Sequence, residues 1–552
     1  THTAQPSQTM TPDERTVQLV AWLLRAIEEA DYSWESVALR EANQGRLAEP
    51  VMNLKTSDSS VAYVFYGNYG ASDEIDGVLQ SLTALNGKAN FYVSEADLLQ
   101  YPQTIHKILD HGHSLGLAWK ASRDDDFFTV THRLLNIIEL FKARLDFEPV
   151  TLMQPFGSFE NPLKEAASAV GLTLIQQDLS FVREECQYTA NPDDIISVIY
   201  KDKEQGFHRG AIIGFRLGYY QHERLLQDLL MSLQGTRNTY RIDDVFSIAT
   251  DTHHLYTYPL TQKEILPEVY DSIRPGQLTP EKEDLAGVIQ ERYIGTPIKS
   301  SRNQLPGLSW KEINKMDTTG RIEGTGNTVF LTFDDWGNDI GVSKLLSVLK
   351  KHDVKATFFV RTNYVPNNPN LLRAIAMDGH QIASHTNSHL PLSIYTQTNW
   401  MYLDLDEDQV HELQEDLIRS WQILQSIVGD IRLENGQPAL SRNFRPPTLA
   451  VGKNGMRTVF DLGFDYIVNG FLNSGDYEVT SKEKLLLSLK NRIRGGAVVI
   501  MHFSDNSIYT ADALDDYFNY NEQENKTPFK FARLSDYLPP IETADQLSSE
   551  AR

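Results

Sequence analysis

Cysteine is almost missing from this chain of 552 residues: Cys186 stands alone, which excludes an internal disulfide and any cysteine-based metal cluster. Long apolar runs are missing as well. No stretch approaches the roughly 18 residues that cross a bilayer, so no transmembrane segment is expected. Positive charge is scarce, with 51 Lys plus Arg against 74 Asp plus Glu and a net charge of −23. A field of that sign repels phosphate backbones and sets nucleic acid aside as a partner, while neutral or cationic substrates stay compatible. The acidic residues are dispersed, and 41% apolar content is that of a soluble globular chain. Its length gives room for several well-filled domains. The polar, turn-rich opening THTAQPSQTMTP reads as a mature amino terminus, with a signal peptide removed and a secreted or cell-envelope location expected. Oligomeric state is not legible.

What is present is one set of sequence blocks, carried twice. VAYVFYGNYG at 61–70 lies over TVFLTFDDWG at 328–337, with Gly67 and Asn68 facing Asp334 and Asp335. At the same offset, without a gap, KANFYV at 88–93 lies over KATFFV at 355–360, and HGHSLGLAWKAS at 111–122 over DGHQIASHTNSH at 378–389. Ala118 and Ser122 then stand where the second copy has His385 and His389. Further on, MQPFG at 153–157 resembles FRPPT at 444–448 with Gln154 for Arg445, and GAIIGFR at 210–216 resembles GAVVIMH at 496–502 with Arg216 for His502. The fold pattern repeats while the reactive side chains occur only in the second copy. The first copy is therefore expected to bind no catalytic metal.

Hydrophobic periodicity divides the chain into five parts. Residues 1–60 form an extension whose RTVQLVAWLLRAIEEA segment has helical apolar spacing. Residues 61–245 alternate short apolar runs with helical stretches, and 328–540 do so again, which predicts an α/β protein of two tandem (β/α) units around a parallel sheet or barrel. Residues 246–327 are dense in turn residues and read as a connector, and 541–552 as a polar tail. Repeats of this length are duplicated domains rather than solenoid units.

Adjacent carboxylates at a strand end point to opposite sides, so Asp334 and Asp335 cannot both be core residues. Taken alone, the pair is also a common turn. His385 and His389, four residues apart, can bring two imidazoles to one side of a turn, as divalent metal sites require, though surface histidines show that spacing too. The order is more specific: TFDDWG, HTNSH, RPPT, NSGDY and then an apolar strand VVIMH ending in His502. This series resembles the polysaccharide deacetylases of carbohydrate esterase family four. The strong resemblance covers 328 to about 510, and a weaker, motif-free one 61 to about 225. It implies two tandem distorted (β/α) barrels, the N-terminal one catalytically degenerate.

By that resemblance Asp335, His385 and His389 hold zinc, or another divalent ion such as Co, Ni, Mn or Fe, in a site with a position open for water. Asp334 is then the general base, Arg445 orients it, and His502 is the general acid for the leaving group. The backbone N–H near Thr448 would stabilise the oxyanion. Asp476 would orient His502, although DY after NSG is equally an ordinary turn and Asp505 could do the same job. Trp336 stands where the family has Gly, Thr448 where it has an aromatic, Tyr477 where it has Trp, and Asn473 where it has Asp, so an altered substrate cleft is expected.

The expected activity is metal-dependent removal of N-acetyl groups from an N-acetylglucosamine polymer of chitin, β-1,6-glucosamine or peptidoglycan type, with a polysaccharide or oligosaccharide as partner. An O-acetyl esterase acting on acetylated xylan is the alternative. A non-haem iron site also uses two histidines and a carboxylate, but with different spacing, and a non-catalytic glycan binder would not need the whole series. Tyr395, Trp400 and Tyr402, in an insertion after His389, are expected to pack a loop rather than stack on sugars. His111, His113, His253, His254 and His380 are given no role in the chemistry.

Overall fold

Branched and aromatic residues fill SVAYVFYG and TVFLTFDD, and each forms an eight-residue strand buried on both faces, as central strands of a parallel sheet must be. The structure is a computed structural model that describes residues 12–123, 125–199, 207–237, 240–251, 284–295, 305–398 and 400–541. The opening segment, His253, His254, half of the expected connector and the polar tail beyond residue 541 lie outside the described residues. The chain divides into two compact units, one made chiefly of residues up to Asp251 and the other chiefly of those beyond it.

The first unit contains β1 (Ser60–Gly67), β2 (Asn90–Val93), β3 (Ser114–Ala118), β4 (Thr151–Met153), β5 (Thr173–Ile175), β6 (Leu179–Ser180), β7 (Ile212–Leu217) and β8 (Arg241–Ile242). They pair in the order β5-β4-β3-β2-β1-β7-β6, with β8 also on β1. The second unit contains β9 (Tyr293–Gly295), β10 (Thr328–Asp335), β11 (Thr357–Val360), β12 (Gln381–Ser384), β13 (Ile394–Thr396), β14 (Met401–Leu403), β15 (Leu440–Phe444), β16 (Tyr466–Gly470), β17 (Leu472–Asn473), β18 (Val498–His502) and β19 (Lys530–Phe531). Its main sheet runs β17-β18-β10-β11-β12-β15-β16-β9, with β19 on β10. Apart from β9, this is the first order strand for strand. Even β9 has an echo, since Val51 bridges Ile175 of β5 as β9 pairs with β16. The duplication is thus a property of the fold. The sequence boundary shifts accordingly: β9 and the helix Leu285–Arg292 come from the expected connector and belong to the second unit.

Register corrects two of the sequence equivalences. Tyr66 pairs with Arg216, and Asp334 with His502. Tyr66 and Gly67, rather than Gly67 and Asn68, therefore occupy the positions of Asp334 and Asp335. Leu152 pairs with Leu117, as Phe444 pairs with Ser384, so Met153 rather than Gln154 stands for Arg445. A slip of one residue changes the face of every side chain, and the packing supports the corrected register. Ala62, Val64, Tyr66 and Met153 share one buried cluster of the first unit, while Thr332, Asp334 and Arg445 are linked by hydrogen bonds in the second.

Beyond β1 the gap-free offset holds. The Ala89 N–H donates to His113 Nδ1 at 3.3 Å, and the Ala356 N–H to His380 Nδ1 at 3.1 Å. Burial pushes these imidazoles down to about 4 and about 3, so both are neutral structural acceptors.

Candidate active site

Strands β10, β12, β15 and β18 of the second unit all run in one direction, and the residues that resemble family motifs gather at their carboxyl ends. That is the end at which parallel βα units build their sites. Asp334 closes the buried part of β10 and is 3% exposed. Arg445, directly after β15 and fully buried, donates from Nη1 to Asp334 Oδ1 at 2.7 Å and to Thr332 Oγ1 at 2.6 Å, and from Nε to the Val468 carbonyl at 2.9 Å. Its guanidinium lies 4.2 Å from the centre of the Phe359 ring. Burial raises the Asp334 carboxyl above its ordinary range, opposed by the charges of Arg445 and His502. A carboxylate so placed is fixed in orientation and is more basic than one in water.

Asp335 ends the strand with φ 82°, a left-handed conformation that a non-glycine residue rarely adopts. Its Oδ1 lies 3.7 Å from His385 Nε2 and 3.5 Å from His389 Nε2. One ligand atom from each of the three residues falls within 4.8 Å of the others. His385 Nδ1 lies 2.8 Å from the Arg445 carbonyl. A carbonyl only accepts, so Nδ1 carries the proton and Nε2 offers its lone pair. Burial pushes His385 down to about 3 and lowers His389, against the raising effect of Asp335. Two neutral imidazoles and one carboxylate with converging lone pairs fit a divalent metal such as zinc.

The HTNSH turn is itself strained. Thr386 and His389 have φ 66° and 64°, and Thr448 and Leu449, on the neighbouring loop, 58° and 60°. Such residues persist only where their surroundings hold them. Asp416 is one such support, accepting from the Asn387 N–H at 2.7 Å and the Ser388 N–H at 2.9 Å. Ser420 Oγ meets Ser384 Oγ at 2.9 Å, and Ser384 Oγ accepts the Thr386 N–H at 3.2 Å. Neither Asp416 nor Ser420 was singled out in the sequence. A signal existed: both lie on the apolar face of the helix Glu407–Val428, among Leu413, Leu417, Trp421 and Leu424. An acid within that stripe needs a partner.

His502 ends β18 beside Asp334. Its Nδ1 lies 2.8 Å from Asp476 Oδ1, and its backbone N–H donates to Asp476 Oδ2 at 2.8 Å. Thr510 and Ser474 hydroxyls complete the carboxylate's shell at 2.6 Å and 3.1 Å. Burial alone would lower His502, but the Asp476 hydrogen bond and the Asp334, Asp476 and Asp335 charges carry it above its usual value. Asp476 is thus the partner of His502. Asp505 instead accepts from the Asn338 N–H at 2.8 Å and Nδ2 at 2.6 Å. Tyr477 sets its ring edge-on to His502, centroids 4.7 Å apart.

Trp336 is half-buried and packs edge-on against Phe503, centroids 6.0 Å apart, rather than standing free in the cleft. Thr448 is exposed, and its N–H has no acceptor among the described residues. The inserted aromatics pack on one another, with the Tyr395 ring 6.5 Å from that of Trp400 and 5.2 Å from that of Tyr402, centroid to centroid. Tyr395, Trp400 and Tyr402 sit on the β13–β14 hairpin, with Trp400 71% exposed.

A family model for polysaccharide deacetylase matches residues 321–467. A chitooligosaccharide deacetylase of Bradyrhizobium sp. (strain ANU 289) is 28% identical over 183 residues, 33% of this chain and 73% of that protein. An uncharacterized 30.6 kDa protein of Geobacillus stearothermophilus is 30% identical over 249 residues, 44% of this chain and 83% of its own length. A peptidoglycan-N-acetylglucosamine deacetylase of Listeria monocytogenes serotype 1/2a (strain 10403S) is 27% identical over 246 residues, 44% of this chain and 43% of the relative. Sequence order, sheet topology and these likenesses converge: the chain belongs to the polysaccharide deacetylase family.

Proposed function

We propose that the second unit is a metal-dependent hydrolase that removes N-acetyl groups from a polysaccharide containing N-acetylglucosamine, of chitin, β-1,6-glucosamine or peptidoglycan type. The observation that carries this reading is one cluster holding three elements: the Asp335, His385 and His389 donors, the Asp334–Arg445 pair, and the His502–Asp476 pair. The likeness to a chitooligosaccharide deacetylase and to a peptidoglycan-N-acetylglucosamine deacetylase supports the substrate class.

A divalent ion held by Asp335, His385 and His389 would polarise the acetyl carbonyl and acidify a water. The chain's own groups do the rest. Asp334, held by Arg445, takes the proton of the water whose oxygen bonds to the acyl carbon. The Thr448 N–H, which has no acceptor among the described residues, would donate to the oxygen that becomes negative. His502, whose Nδ1 is held by Asp476, gives the proton of Nε2 to the nitrogen as the C–N bond breaks, so that acetate and a free amine leave. An amine leaves poorly unless protonated, whereas the alkoxide of an O-acetyl ester leaves more readily. A proton retained on His502 therefore meets the need of the amide, while an ester asks less of it. Substrates of this class lie in envelopes and matrices, which suits a secreted or envelope location.

The test is acetate release from chitooligosaccharides, acetylated β-1,6-glucosamine oligomers, peptidoglycan and acetylated xylan, using zinc-loaded, chelated and Asp334→Asn protein. Release from a glucosamine polymer, lost on chelation and in the variant, is expected. Release from xylan alone would replace the reading with an O-acetyl esterase, and no metal-dependent release from any of the four would remove it.

A further inference from the structure

The first unit lacks the reactive side chains at the carboxyl ends of its strands, but what replaces them is a specific set. Tyr66 holds the place of Asp334, and Arg216 that of His502. The Arg216 guanidinium lies 5.2 Å from the centre of the Phe156 ring and 5.7 Å from that of Tyr219. Arg216 is half-buried, yet no hydrogen bond or ion pair joins it to another described residue. Phe156 is 63% exposed, and its ring stands edge-on to Tyr66 with centroids 6.0 Å apart.

This exposed ring is carried on a fixed turn. Gln154, 8% exposed, donates from Nε2 to the Phe156 and Ser158 carbonyls, both at 2.9 Å. The Gln154 Oε1 atom is buried with no donor. Gly157, at φ 86°, lets the chain turn there.

An exposed ring on a fixed turn, with a guanidinium lying against it that no other described residue engages by hydrogen bond or ion pair, together describe a recognition surface. The ring offers a flat apolar face, and the stacked guanidinium offers N–H donors at its edge. A pyranose complements both, with C–H groups on its faces and oxygen acceptors around its rim. A small anion would leave the ring unused, and a purely apolar ligand would leave the arginine unsatisfied.

We infer that the first unit is a saccharide-binding module whose site is formed by Phe156, Arg216 and Tyr219, at the end of its strands where the second unit carries its chemistry. The saccharide class rests on the reading of the second unit, while the existence of a site rests on the first unit alone. Arg216 donates to ligand oxygen, either a hydroxyl or acetamido oxygen of a neutral glycan or the carboxylate of an acidic one.

The test is calorimetric titration of the full-length, chelated protein, in which no turnover occurs. The ligands are chitopentaose, for the neutral acceptor, and a peptidoglycan fragment with its lactyl carboxylate, for the acidic one. Phe156→Ala, Arg216→Ala and Arg216→Lys are compared with the parent, and thermal melting checks each fold. The exposure of Phe156 makes its truncation structurally mild. The parent is expected to bind glycan at two sites per chain, and Phe156→Ala and Arg216→Ala at one. Arg216→Lys keeps the charge but not the planar stack, and should bind about tenfold more weakly at the lost site. Binding of the same stoichiometry and affinity in the parent and in both alanine variants, whether at one site or at two, overturns the inference. Acetate release by the metal-loaded protein is measured separately. A site lost in both alanine variants, without hydrolysis, would sink the enzymatic reading but leave the module standing, and hydrolysis with no such site would do the reverse.

Discussion

Asp334 and Arg445 form the most consequential pair of residues in the second unit, because burial works against the charge of both. The Asp334 carboxyl is pushed up and the Arg445 guanidinium down, each mainly by desolvation, and each is restored in part by the other. Removing one partner strands a charge, which costs about 3–5 kcal/mol for a buried pair. Arg445→Met should lower unfolding stability by about that amount in urea titration and should also abolish acetate release. His502 makes a prediction in pH. Its value in the fold is raised above 6.5, so the native state holds the proton more tightly than the unfolded chain. The resulting stability is fully present below 6.5 and is lost as pH rises through the raised value. Asp476→Asn removes the hydrogen-bonding anion, so the alkaline limb of the rate profile should move to lower pH and this pH-dependent stability should shrink. An unmoved alkaline limb would show that His502 does not carry the proton used in the reaction.

Among elements, the turn from His385 to His389 and the helix Glu407–Val428 behind it act as one device. The turn carries two left-handed non-glycine residues, and the Asp416 carboxylate ties down two of its amides. Asp416 is a positioning residue, since it touches the ligand loop rather than any ligand. Supports of this kind are worth about 10–100-fold in metal affinity. Asp416→Ala should weaken zinc binding by that factor in competition with a chromophoric chelator, while leaving helical circular dichroism unchanged. If affinity stayed at the parent value, the turn would hold its shape without the helix. The β13–β14 hairpin makes a contrast. Its aromatic residues pack on one another as the sequence suggested, but at the surface, where Trp400 stays largely in water.

On the scale of the whole molecule, the same strand order appears twice, with chemistry in one copy only. The positions of Asp334, Asp335, His385 and Arg445 are filled in the first unit by Tyr66, Gly67, Ala118 and Met153. Among the described residues the single cluster of metal-ligating side chains is that of the second unit. Native mass spectrometry or metal analysis of the zinc-loaded chain should therefore find one tightly held ion per chain, and none after His385→Ala. Two ions per chain would contradict the degeneracy of the first unit.

The sequence by itself determined the α/β class and the duplication, and it singled out nine candidate residues for the site, with Asp505 left open as an alternative to Asp476. Branched strands, helical spacing and the ordered motifs are local patterns that need no tertiary structure to be seen. The family resemblance also lies in that order. Three matters were decided only in three dimensions. The one-residue gap after β1 became visible through strand pairing, because the face a side chain takes depends on its ladder partner and not on its place in a string. The choice of Asp476 over Asp505 for His502 depended on bringing β17 and its loop beside β18, across 26 residues of chain. Asp416 and the Phe156–Arg216 stack escaped notice because each is ordinary as a residue type. Their meaning comes from what is, or is not, opposite them, and burial, pairing and exposure are properties of the folded surface rather than of the order of residues.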